Sequence, residues 1–154
     1  MQTAAQTLRS SSEGTMGKIM QKISLANADD EAVCRRGLLS EEKVRRIELE
    51  ALVDTGATML SIPEDLIQQL GLPLLRRATT RYGDGRRESR GVYGPVTIRV
   101  LGRVEVVSVL AGHPGQPALL GQIPLEGLDL HADPRGQRLI PNPESPDMPL
   151  VEVY

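Results

Sequence analysis

The chain has 154 residues, with 18 Lys+Arg against 20 Asp+Glu and a formal net charge of −2, the length of one domain. It contains 21 Leu, 8 Ile and 12 Val but no Phe or Trp and only three Tyr. The core is therefore aliphatic, and both the missing aromatic platforms and the near-neutral charge argue against a nucleic-acid binder. The one cysteine, Cys34, cannot form an internal disulfide, and no run of about 18 apolar residues marks a membrane-spanning helix.

Residues 1–15 are polar, lack the apolar stretch of a signal peptide, and read as a disordered leader before a domain over 16–154. Met16 is an alternative start, and the expected location is cytoplasmic. Turn residues then recur every eight to twelve positions or so, the spacing of many short strands. Lys18 to Leu25 alternates, with Ile19, Ile23 and Leu25 on one side, and predicts a strand. Asn27 to Ser40 is polar, a long loop or a short helix. Arg46 to Val53 alternates again and runs into Asp54-Thr55-Gly56.

Met59 to Ile62 predicts a short strand. Pro63 opens a helix at its favoured first position, with Glu64 and Asp65 in the first turn and Gly71 as the stop. Residues 76–93 predict a long hairpin tipped by Gly83-Asp84-Gly85, whose glycines permit positive φ. Val96 to Val100 and Val104 to Leu110 predict a second hairpin through Gly102. Ala118-Leu119-Leu120-Gly121 reads as a buried strand and echoes Ala51 to Gly56. A turn of helix falls near Pro124 to Gly127, and two more strands flank Pro134-Arg135-Gly136.

The chemistry concentrates at Leu52-Val53-Asp54-Thr55-Gly56-Ala57. An ionisable Asp ends an apolar strand, followed by a small hydroxyl residue and two residues small enough for close backbone approach. Burial penalises a charged carboxylate, so such an Asp finds donors or shifts its pKa. Taken alone, Asp54 also fits a turn cap, and Thr55 and Gly56 fit turn chemistry. Ser61 has no evident His and Asp partners for a triad. His113 and His131 read as loop and strand residues without zinc-site spacing, and Cys34 as a bystander.

With Leu52 to Ala57, the hairpin around Gly83-Asp84-Gly85 and Leu119-Leu120-Gly121 in order and spacing, the chain resembles the retropepsin-like aspartic proteases, from Lys18 to Tyr154. These include the retroviral proteases and single-domain bacterial relatives. The resemblance implies an all-β, closed antiparallel acid-protease barrel with one or two short helices, assembled as a homodimer that shares one site. It assigns the catalytic carboxylate to Asp54, dimer support or substrate contact to Thr55, Gly56 and Ala57, and the flap to Tyr82, Gly83, Asp84 and Gly85 within residues 79–93. It implies an extended peptide substrate and neither metal nor cofactor. Retroviral members usually carry a paired Asp and Arg where this chain has Thr58 and Gln122. The terminal segments Lys18 to Leu25 and Leu150 to Tyr154 are apolar enough to be interface strands.

Two points stay open. Residues 76–103 hold eight Arg against Asp84 and Glu88, either a solvated strand face or a surface that draws acidic peptides to the cleft. The function is either an aspartic endopeptidase or a catalytically silent, dimeric peptide-binding module that uses the flap for strand addition.

Overall fold

The structure is a computed structural model that describes residues 18–153; the leader, Met16 and Tyr154 lie outside the described residues. The strands are β1 (Met20–Asn27), β2 (Arg46–Val53), β3 (Leu60–Pro63), β4 (Leu74–Arg81), β5 (Arg87–Val100), β6 (Arg103–Gly112), β7 (Ala118–Leu120), β8 (Leu130–Asp133) and β9 (Arg138–Pro141). The helices are α1 (Ala28–Arg35), α2 (Glu64–Leu70) and α3 (Gln122–Leu128), with a 3-10 turn at Glu41–Lys43. Among the described residues the helices thus number three, where the sequence predicted one or two.

Six strands close a barrel in the order β1-β2-β7-β3-β6-β5, with β5 returning to β1. Closure leaves the six barrel strands no open edge, and β4 of the flap arm, paired with β5 alone, is the edge strand of the sheet. Most pairings are antiparallel, and β2 with β7 and β3 with β6 are parallel. The alternation that predicted β1 and β2 is the one that fills the barrel. Ile23, Leu25, Leu60, Ile62, Val96, Ile98, Val109 and Leu120 are all buried in one aliphatic core. Burying each such side chain contributes roughly 1.5–3 kcal/mol.

The predicted break between the flap hairpin and the next one, at Gly94-Pro95, does not occur. β5 is one strand of 14 residues that changes partner at that point. Its outer part, residues 87–93, pairs with β4 to make the flap arm, and residues 96–99 pair with β1 to close the barrel. Pro95 has no N–H to donate, and the ladder to β6 shifts between Tyr93 and Val96. The chain thus changes partner at a residue that cannot extend a ladder, without ending the strand.

Helices sit at the barrel's ends and sides. Asn27 joins two of them: its Oδ1 caps α1 by accepting from Asp30 N at 2.9 Å, and its buried Nδ2 donates to Leu70 O at 2.9 Å. Pro63 precedes α2 as its cap residue rather than lying inside its first turn, and Gly71 ends it at a φ of 67°. Both edges of residues 24–27 of β1 are taken, by β2 and β5, whereas residues 20–23 pair with β2 alone. Residues 150–153 are exposed and form no strand.

That tail is nevertheless fastened. Arg103, buried at the end of α3, donates to the carbonyls of Leu128 and Asp129 at 3.1 and 2.9 Å and also to Ser145 O. The Asp129 carboxylate accepts from Ser145 Oγ at 2.6 Å, Leu150 N at 2.9 Å and Asn142 Nδ2 at 3.0 Å. The Ser145 hydroxyl first, then the Leu150 amide, hold this carboxyl below the ordinary aspartate range. A folded-state pKa that is depressed contributes stability above the unfolded value, and that stability is lost as pH falls through the folded value. Protection of the Leu150 amide in hydrogen exchange is therefore expected to be full above about pH 4 and to fade on acidification. In Asp129→Asn it is expected to be weak throughout.

Candidate active site

The site is made by a crossing. β7 lies between β2 and β3, pairing Ala51 to Val53 with Ala118 to Leu120 on one side and Ser61 with Leu119 on the other. Residues 54–59 must therefore arch over the end of β7, and Gly121 passes directly beneath them. A Cβ on Gly121 would stand 2.4 Å from Met59 O and 2.7 Å from Ala57 O, closer than real contacts allow. The echo between Ala51 to Gly56 and Ala118 to Gly121 is thus a physical pair of neighbouring strands.

Asp54 leaves β2 with its backbone fixed. Its N–H donates to Leu120 O at 3.0 Å, and its carbonyl accepts from Ala57 N at 3.1 Å. Its Oδ1 accepts from Gly56 N at 3.0 Å. Its Oδ2 makes no hydrogen bond among the described residues, and Asp54 lines a cleft of about 520 Å³. One carboxylate oxygen is thus held by the loop while the other is left unbonded in a cleft-lining residue.

Thr58 and Gln122 hold the arch through the backbone. Gln122 N donates to Ala57 O and Ile123 N to Thr58 O, both at 2.8 Å. Where the retroviral pattern places a charged side-chain pair, this chain joins the two segments by main-chain bonds.

Gly56 and Ala57 line the cleft with Asp54, as do Tyr82 and Gly83 of the flap. Thr55 does not. It is exposed in a second groove of about 510 Å³, with Gln122, Glu126, Asp129 and His131. Asp84 and Gly85 shape the flap tip away from the cleft lining. Gly85 N donates to Tyr82 O at 2.9 Å with φ at 89°, whereas Gly83 does not take positive φ. Asp84 accepts from Arg86 N and Arg86 Nε, which lower its pKa in that order. The Arg86 guanidinium stacks 4.8 Å over the Tyr82 ring.

The flap is tied to the far wall by Tyr82, assigned to the flap from the sequence, and by Glu88, Arg90 and His113, which the sequence did not place in the site. The Tyr82 hydroxyl donates to Glu88 Oε1 at 2.7 Å and lies 3.0 Å from His113 Nε2. Arg90 Nη1 donates to the same Glu88 oxygen at 2.9 Å. These donors, Tyr82 foremost, lower the Glu88 pKa. His113, Arg90, Ser61 and Gln116 all line the cleft. No local sequence signal marks them: the parallel pairing of β3 with β6, which brings the end of β6 to the cleft, joins segments distant in the chain. Ser61 makes no hydrogen bond to a histidine among the described residues, Cys34 bonds Glu41 away from the cleft, and no described His, Cys, Asp and Glu cluster is suited to a metal.

A closed barrel with an Asp-Thr-Gly arch and a hairpin over it defines an acid-protease architecture. A family model described as "gag-polyprotein putative aspartyl protease" matches residues 41–126, more than half of the chain. The chain belongs to this family of retropepsin-like aspartic proteases. The matched span holds the arch, the flap and Gly121. No curated protein matches the chain.

The crossing sets an expectation for stability. Gly121→Ala pushes a methyl against backbone atoms that cannot rotate away, and overpacking of this kind costs about 3 kcal/mol. Thermal unfolding is expected to fall by roughly 10 °C. Gly56→Ala, whose Cβ meets only Asp54 Oδ1 at 3.3 Å, should fall much less.

Proposed function

We propose that the protein is an aspartic endopeptidase whose site is completed by a second copy of the chain. The observation that carries this reading is the Asp54 carboxylate, braced on Oδ1 by Gly56 N in a residue that lines the cleft. A peptide-binding module needs the cleft and the flap but has no use for an oriented carboxylate at the floor. A single arch supplies one carboxylate, and the family chemistry needs two. Thr55, exposed on the opposite face of the arch, is placed to contact a partner, and the exposed apolar tail at Leu150, Val151 and Val153 adds surface for one.

Two Asp54 carboxylates about 3 Å apart cannot both stay ionised and share one proton, as aspartic-protease dyads do. The ionised Asp54 takes a proton from a water held between the two. The water oxygen attacks the scissile carbonyl carbon, while the protonated Asp54 donates to the carbonyl oxygen. The tetrahedral diol then collapses: its hydroxyl proton returns to a carboxylate, the leaving nitrogen is protonated by the other, and the C–N bond breaks. Both carboxyl groups end with the one shared proton they started with. The flap arm, hinged where β5 changes partner, covers the bound peptide and excludes bulk water.

Asp54→Asn keeps an oxygen for Gly56 N but provides no base. Cleavage of a peptide library between acidic and neutral pH is expected to be abolished, with the unfolding temperature within a few degrees of wild type. Cleavage by the variant at near wild-type rate would sink the assignment. Peptide binding by a wild type that never cleaves would favour the silent module.

Half a site per chain makes activity depend on association. Specific activity is expected to fall as the protein is diluted through its dimer dissociation constant, in step with the loss of dimer in sedimentation. Constant specific activity from a sedimenting monomer would contradict the shared site.

A further inference from the structure

We propose that the cleft selects acidic peptide segments by binding a substrate carboxylate on Arg81 and Arg90. This names a substrate class for the endopeptidase reading and rests on it. The basic run from residue 76 to 103 does not act as one surface. Arg77 is bonded to Ser89, Arg86 to Asp84 and Arg99 to Glu31, and Arg103 is buried on backbone carbonyls. Of the eight arginines only Arg81 and Arg90 line the cleft, together with His113, and the one acidic residue lining it is Asp54. Away from its floor the cleft is therefore cationic.

The geometry of these donors is already that of a carboxylate site. Tyr82 Oη and Arg90 Nη1 donate to one oxygen of Glu88, at 2.7 and 2.9 Å, and His113 Nε2 lies 3.0 Å from that oxygen and 2.6 Å from Arg90 Nη1. Glu88 does not line the cleft; it holds the three groups from behind. The Arg90 side chain is only 12% exposed, so its guanidinium is fixed rather than trailing in solvent. Its Nη2, the Arg81 guanidinium and the Gln116 amide make no hydrogen bond or ion pair among the described residues. A Glu or Asp side chain of the substrate gains charge-assisted bonds there, which are roughly twice as strong as those a neutral amide can make.

The test uses two peptides identical except for Glu or Gln beside the cleaved bond. It reads kcat/KM with the wild type and binding by fluorescence anisotropy with Asp54→Asn, so that recognition is measured without cleavage. A preference for Glu of about tenfold is expected in both readouts, equivalent to about 1.4 kcal/mol. It is expected to shrink to about threefold in Arg81→Gln, a change at an exposed position of the kind that leaves stability within about 0.5 kcal/mol, and to disappear when Arg90→Gln is added. A fixed, mostly buried arginine is screened weakly, so the preference should persist in about 0.5 M salt. Equal binding of the two peptides, binding of neither, or a preference abolished by salt overturns the inference, the last in favour of long-range steering. A Glu preference in binding with no cleavage of any peptide removes the endopeptidase reading and leaves the carboxylate site standing. Cleavage of both peptides alike does the reverse.

Discussion

The structure depends on one crossing of the chain over itself, where residues 57–59 pass above Gly121 with no room for a side chain between them. β7 can separate β2 from β3 only if the connecting arch lies flat on its end. That arch presents Asp54. Four main-chain hydrogen bonds, from Asp54 N, Ala57 N, Gln122 N and Ile123 N, tie the arch to itself, to β7 and to α3. Each contributes about 1 kcal/mol net, and a methyl at Gly121 would strain several of them together. The carboxylate is therefore positioned by the barrel's interior rather than by a surface turn, which is what preorganised chemistry requires.

The same crossing accounts for a chain that lacks the charged pair of the retroviral pattern. An exposed ion pair contributes between nothing and about 1 kcal/mol, comparable to a main-chain bond. Thr58 and Gln122 remove both charges at once, so no buried charge is left without a partner. The link between the two segments is retained in the bonds to Ala57 O and Thr58 O.

Much of this was readable in the residues. Ile19, Ile23 and Leu25 alternate because they point into the barrel, and β2 has the predicted bounds because Val53 is the last residue before the chain must turn. The Asp54 arch, the short β7 and the flap tip were legible as local patterns. What was not legible is what depends on distant partners. Gly94-Pro95 reads as a break because proline cannot continue a ladder, yet β5 continues by exchanging β4 for β1. Asn27 looks like a loop residue, and its role comes from Leu70, 43 positions away. His113 and Arg90 were assigned to loop and face because nothing local says that the end of β6 meets the flap. Asp129 adopts a φ of 55° in a chain where glycine or asparagine would be the anticipated residue, because its carboxylate gathers the C-terminal tail.

A core built without Phe or Trp has an optical consequence. Of the three tyrosines, Tyr82 lies at the flap tip and Tyr93 at the foot of the flap arm, within the strand that leads into the barrel. With no indole to absorb their emission, the tyrosines alone supply the near-ultraviolet signals, and two of the three sit on the hairpin over the cleft. Tyr82 donates its hydroxyl proton to a carboxylate and stacks under a guanidinium, so its emission is sensitive to both contacts. The flap thus carries native chromophores at its two ends, and its opening can be followed in the unlabelled protein.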